Sequence, residues 1–326
     1  MGGDSIIRQI FTKPKFNADR DIPSLEGKVA LITGASGGIG KACALELAKK
    51  GCHVFLFGRS AEKTLPVIEE IKTISKNDKV EFLEADLMDL NQVEQAADKF
   101  LERGLPLHIL INNAGIMHQP YKLTKDNMES QIATNHFAHV VLTNKLLGVI
   151  EASAPSRIVN ITSILHENPY KHGINYDTWC DEKSYNAEDQ YGTSKLLNVH
   201  FTKKLQEKLD AKAQAEGKEG KVYVNCVHPG VVKSNLLRNP ANYSFFFDLS
   251  FKIIGISTEH GAITQLYVAT NPSIEAQNIK GKYFTPYHQI EETSAMARDE
   301  KLINKSWEWT EAQLIDKFKP DWKWAI

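Results

Sequence analysis

Short runs dense in apolar residues alternate along the chain with longer stretches in which apolar residues return every three or four positions. "KVALIT" (28–33), "HVFLFG" (53–58), "KVEFLEA" (79–85), "LHILINN" (107–113), "SRIVNITS" (156–163) and "KVYVNCV" (221–227) read as strands, with a late short one at "GKYFTP" (281–286). Helical spacing predicts a helix carrying Ile39, Cys43 and Leu47, then helices over 61–76, 89–104, about 126–150 and about 186–214. Strands that are apolar at consecutive positions need both faces covered. Joined by helices, they predict an α/β fold: a doubly wound, Rossmann-type parallel sheet of about seven strands with helices on both faces. Residues 28–326 form one domain in this reading, behind an arm at 1–27 in which Pro14 and Pro23 interrupt any continuous helix. Ligands of such sheets bind beyond the carboxyl ends of the strands, so the first residues after each strand carry the chemistry.

Composition adds exclusions. Of 326 residues, 42% are hydrophobic and 24% charged, as in an ordinary globular protein, and the net charge of -1 gives no reason to expect nucleic acid as a partner. Cys43, Cys52, Cys180 and Cys226 show no CxxC spacing, which points to free thiols in a reduced compartment. No apolar run reaches the roughly 18 residues of a membrane span. The expected location is the cytoplasm, with peripheral attachment to the ER or a lipid-droplet surface left open.

"TGASGGIG" (33–40) follows the first strand and opens its helix. Glycines there let the backbone turn sharply and approach a pyrophosphate, while the helix start offers free amides. The spacing is not GxGxxG, and a glycine-rich turn is also ordinary turn chemistry. About twenty residues on, an NAD site wants a carboxylate for the ribose hydroxyl. The second strand ends instead in "FGRS", with Arg59 and no acid before Glu62. A guanidinium suits a 2′-phosphate, so the expected cofactor is NADP(H). Lys41 is a further basic candidate, equally readable as solvated.

"QYGTSK" (190–195) sets Tyr191 and Lys195 four apart. Taken alone, the pair reads first as a helix-surface contact. Its chemical reading is that the ammonium lowers the phenol's pKa until tyrosine can exchange protons near neutrality.

Together, "TGASGGIG", "NNAG" (112–115), Asn135, Ser163 and "YGTSK" (191–195) resemble the short-chain dehydrogenase/reductase family over nearly the whole chain. "NITSILH", a long stretch between Ser163 and Tyr191, and "WEWTEAQL" (307–314) look most like its retinol dehydrogenase and WW-domain oxidoreductase branch, here without a WW domain. The resemblance implies a catalytic tetrad of Asn135, Ser163, Tyr191 and Lys195. It implies cofactor contacts from Gly34, Ser36, Gly38, Ile39, Gly40, Arg59, Asp86, Leu87, Asn113, Ala114 and Gly115, from Tyr191 and Lys195 again, and from Pro229, Gly230 and Val232. In its terms Ser163 binds the substrate oxygen, Tyr191 gives or takes the proton, Lys195 holds the nicotinamide ribose, and Asn135 anchors a relay water. His228 stands where many members have Asn.

The expected reaction interconverts an aldehyde or ketone with its alcohol in lipid metabolism, on an apolar retinoid, prenyl or fatty-aldehyde substrate. A steroid or small-carbonyl reductase and a non-catalytic NADP(H)-binding regulator are the alternatives, and a nucleotide-sugar epimerase ranks below them. Substrate contacts are expected from segments 164–190 and 231–257, the second containing "YSFFFDLSFKIIGI" (243–256), readable as a lid or as a lipid contact. Relatives dimerise through the helices at 126–150 and 186–214, which makes a homodimer an open expectation. His136 and His139 lack the further ligands a metal needs, so no metal is expected. His166, His172 and Cys180 read as loop or pocket residues.

Overall fold

The apolar runs become strands of a single sheet in the computed structural model, which describes residue 12 and residues 14–170, 173–233 and 255–326. β1 (Val29–Thr33), β2 (His53–Gly58), β3 (Val80–Glu84), β4 (Ile109–Asn112), β5 (Ser156–Ile161), β6 (Val222–Val227) and β7 (Tyr283–Thr285) are parallel. β8 (Gln289–Glu291) returns antiparallel along β7, an eighth strand that the sequence pattern does not announce. The order β3-β2-β1-β4-β5-β6-β7-β8 reverses between β1 and β4, so the loops after these two strands diverge and leave a crevice.

Alternate residues of the central strands feed two main cores. Val29 and Leu31 of β1 join Phe55, Leu110 and Val224 on one face; Ala30 and Ile32 join Val54, Ile111 and Phe284 on the other. This two-sided burial is why the strands read as unbroken apolar runs. The first face is covered by α3 (Leu90–Leu101), α4 (Ala138–Ala152), α5 (Ala187–Ala215) and α7 (Glu300–Lys317). The second is covered by α1 (Gly38–Lys49), α2 (Ala61–Ser75) and α6 (Thr258–Thr270). Side chains stop the free amides at most of these starts: Ser60 accepts from Lys63 N, Asp89 from Gln92 N, and Asn186 from the amides of Glu188 and Asp189.

Two readings of the helices need correcting. The helix expected over 126–150 begins at Ser130, because the Glu129 carboxylate caps it through the amides of Gln131 and Ile132. It then widens into a π-turn at Ala133–Phe137 before α4. Within the arm, Phe16, Ile22 and Leu25 are buried, and Phe16 meets Tyr267 edge-on at 5.6 Å. Helices α6 and α7 are additions; α6 is buried along most of its length and so lacks a polar face to reveal its period. The C-terminal segment packs on the two long helices. Asn144 of α4 bonds the Lys323 carbonyl and the Ala325 amide, and Trp324 stacks on Trp307 and on Phe201 of α5.

Candidate active site

At the end of β1, Thr33 ties the crevice together. Its hydroxyl accepts from the Ala114 amide at 2.9 Å, and its carbonyl accepts from Asn113 Nδ2 at 2.9 Å. The two loops consequently approach so closely that side chains are excluded. A Cβ on Gly34, whose φ is +69°, would stand 2.9 Å from Ala114 Cα. One on Gly40 would stand 2.7 Å from both Asn113 Nδ2 and the Gly34 carbonyl. Gly40 thus packs behind the cleft, while Gly34, Ser36, Gly38 and Ile39 line it. Gly37 gives the start of α1 no side-chain cap, so the first-turn amides have no side-chain acceptor there and keep the character of an anion site.

The crevice continues as a cleft of about 580 Å³. Arg59 lies on its wall, exposed, and among the described residues no carboxylate pairs with it. Lys41 points elsewhere and bridges to Glu70 at 2.6 Å, so it is not part of the cleft. Asp86 and Leu87 line the wall beyond β3, with Asp86 Oδ1 accepting from the Met88 amide. Asn113, Ala114 and Gly115 form the floor, and Pro229, Gly230 and Val232 close the far side beside His228. His228 is buried, which pushes its pKa down to about 3, and its Nδ1 accepts from the Gly230 amide.

Ser163, Tyr191 and Lys195 meet in this cleft. Ser163 ends the segment after β5 and caps a short turn, Ile164–Glu167, by accepting from the Leu165 amide at 3.2 Å. Tyr191 and Lys195 lie one turn apart on α5, both buried. Lys195 Nζ donates to the Ile161 carbonyl at 3.1 Å, and burial lowers its pKa to about 7. Asn135 does not line the cleft. Its Nδ2 donates to the Ile116 carbonyl and to Ser194 Oγ, while Oδ1 accepts from the Ile116 amide. The π-turn, a bulge often found at functional positions, aims this amide at the loop after β4. A Cβ on Gly115 would lie 3.3 Å from Asn135 Oδ1 and 3.5 Å from Lys195 Nζ, so these atoms face one small space.

Sequence reasoning overlooks several residues. Met117 and Gln119, from the loop after β4, line the cleft beside Ile164, Leu165 and Val231, which lie in the segments 164–190 and 231–257 expected to meet substrate. Gly192, inside "YGTSK", lets α5 lie against the turn after Ser163: a Cβ there would stand 2.4 Å from the Asn168 carbonyl. Among the discounted residues, His166 is buried beneath Ser163, its Nδ1 bonded to the Ser163 carbonyl at 2.7 Å. Cys180 accepts from the Glu129 amide, and burial lifts its thiol to about 11. His136 and His139 point to separate partners, Asn198 and Thr310 for the first and Thr33 and the Asn135 carbonyl for the second. His172 and residues 243–254 of the aromatic segment lie outside the described residues.

A short chain dehydrogenase family model matches residues 28–178. Human retinol dehydrogenase 11 is 38% identical over 87% of this chain and 85% of its own. The chain belongs to the short-chain dehydrogenase/reductase family. Among solved structures, an uncharacterized protein from Mycobacterium paratuberculosis is similar with a TM-score of 0.71 and 29% identity, covering 91% of this chain and 97% of its own. A protein from Beutenbergia cavernae assigned as an NAD(P)-dependent gluconate 5-dehydrogenase, with NADP bound at low occupancy, gives a TM-score of 0.59 and 25% identity over 80% of this chain and 95% of its own. The chain is thus a retinol-dehydrogenase-like oxidoreductase of a family that works with a nicotinamide cofactor on carbonyl and alcohol groups. Gly34 and Gly40, where a Cβ would run into the protein's own atoms, hold this turn tight against the loop after β4, which agrees with a dinucleotide-binding turn. Among the described residues no helix is long and apolar enough to cross a membrane.

Proposed function

We propose that this protein is an NADP(H)-dependent reductase interconverting an apolar aldehyde or ketone with its alcohol. The observation that carries the reading is the convergence of Ser163, Tyr191 and Lys195 on one cleft beyond a glycine-lined turn. When bound, the cofactor supplies or removes the hydride. Ser163 Oγ hydrogen-bonds the substrate oxygen, and the Tyr191 phenol gives that oxygen its proton, or takes it back in the alcohol direction. Lys195 holds the nicotinamide ribose and, when charged, favours the phenolate form of Tyr191. Asn135 has both N–H groups committed to protein acceptors, so its share in a proton relay falls to the spare lone pair of Oδ1, beside Lys195 Nζ.

Arg59 supports NADP(H) over NAD(H): it is exposed on the cleft wall where an acid would contact a ribose hydroxyl. Met117, Ile164, Leu165 and Val231 support an apolar substrate, because desolvating a carbonyl's aliphatic chain against them is favourable. The test is loss of NADPH absorbance against aldehydes and ketones of graded length and polarity. Turnover that rises with chain length supports the reading. No turnover with any carbonyl or alcohol, despite tight NADPH binding, overturns it in favour of a regulatory binding protein.

A further inference from the structure

Asn198 stands three residues after Lys195 on α5, buried, and its amide is committed at every atom. Nδ2 donates at 3.0 Å to the carbonyl of Asn135, in the π-turn, and at 3.0 Å to the carbonyl of Ile161, at the end of β5. The Ile161 carbonyl is also the acceptor of Lys195 Nζ. Two carbonyls can only accept, which fixes the amide's orientation and leaves Oδ1 facing His136 Nδ1 at 3.2 Å. His136 therefore carries its proton on Nδ1, and its Nε2 accepts from the hydroxyl of Thr310 on α7 at 3.0 Å. Asn135, His136, Asn198 and Thr310 are all buried, so no solvent replaces a lost partner.

We propose that Asn198 is a positioning residue for the reaction: by bridging the carbonyls of Ile161 and Asn135 it fixes the acceptor that places Lys195 beside Tyr191, with His136 and Thr310 of the C-terminal helix holding its amide in orientation. Asn198 touches neither substrate nor cofactor. Losing its donor frees the Ile161 carbonyl to turn from its present direction, and Lys195 Nζ moves with it. The π-turn that carries Asn135 loosens in the same event, since both carbonyls hang on one amide nitrogen. The inference rests on the proposed roles of Lys195 and Tyr191.

The test uses the full chain, NADPH and octanal, with turnover counted per NADPH-binding site by fluorescence titration. Asn198→Asp keeps the shape and the acceptor for His136 but loses donors to the two carbonyls. It is expected to lower kcat per binding site at least ~10-fold, the scale of a small misplacement of a reacting group, with NADPH affinity and octanal KM changed less than about twofold. Thr310→Val is expected to lower kcat about threefold, the scale of one buried hydrogen bond, and Thr310→Ser to restore it. A merely structural role would reduce the number of binding sites without changing turnover at each. Histidine nitrogen NMR of the protein without cofactor gives a separate check, because a proton on Nε2 of His136 would reverse the chain and overturn the inference. Full turnover per site in both Asn198→Asp and Thr310→Val overturns it while leaving the proposed function standing, provided Tyr191→Phe is inactive in the same assay. If Tyr191→Phe is active as well, both fall.

Discussion

Lys195 Nζ stands 5.5 Å from the centre of the Tyr191 ring, buried and bonded to the main chain of Ile161. One helical turn produces this approach, since side chains four apart share a face. Enclosure makes it chemical. Burial drops the lysine from its ordinary 10.5 to about 7, so a proton on Nζ is held against a desolvation cost and acts on the phenol with little screening.

The same burial has a price in stability. Between about pH 7 and 10.5 the unfolded chain holds a proton on Lys195 that the folded chain has released, so this group alone makes stability rise with pH across that window. Below about pH 7 the folded protein carries the buried charge in full. Lys195→Met fills the same space without charge. It is expected to raise the melting temperature of the cofactor-free protein by more than ~2 °C near pH 6, with the advantage shrinking near pH 9. Melting curves with no pH-dependent difference between the two proteins would show that Lys195 is not desolvated.

Tyr191→Phe keeps the ring's packing and removes the transferable proton. Turnover is expected to fall at least ~100-fold while NADPH still binds, which is the usual scale for a general acid. Near wild-type reduction rates in the purified variant would remove Tyr191 from the mechanism.

How much of this was legible in the chain depends on whether the signal is local. β1 and β2 announce themselves because both faces are covered, leaving no polar alternation. The glycine turn and the Tyr191–Lys195 spacing are contiguous, so their residues carry the pattern whole. The residues that escape are set by contacts across the fold. Gly192 is needed because the Asn168 carbonyl comes to it, and Met117 enters the cleft through the path of the loop after β4. Asn135 reads as a site residue, yet only the π-turn shows that its amide also binds both main-chain groups of Ile116. Trp324 gives no periodic signal, since it lies after α7 and finds Trp307 and Phe201 in space.

Arg59 provides a cofactor test. Its guanidinium is exposed, so a 2′-phosphate would form a charge-assisted contact without displacing a protein partner among the described residues. Arg59→Ala is expected to weaken NADPH binding by about 1.5–3 kcal/mol and leave NADH almost unchanged. Equal affinities of the two cofactors for the unaltered protein would dispose of the assignment before any variant is made.

Gly192 tests whether spacing between two elements matters to the chemistry. A Cβ at this position meets two main-chain atoms, the Asn168 carbonyl at 2.4 Å and the Leu165 carbonyl at 2.8 Å. Neither can swing aside as a side-chain end does. Gly192→Ala must therefore push α5, which carries Tyr191 and Lys195, away from the turn that begins at Ser163. A loss of at least ~10-fold in kcat is expected, the scale of a small misplacement of reacting groups, together with a lower melting temperature. Gly148→Ala on α4 is the control, because nothing lies within 4 Å of the Cβ it adds. An alanine there is expected to stabilise by about 0.5–1 kcal/mol through helix propensity and to leave turnover unchanged. If Gly192→Ala reduces its substrate as fast as the unaltered protein, the turn after Ser163 does not set the geometry of the site.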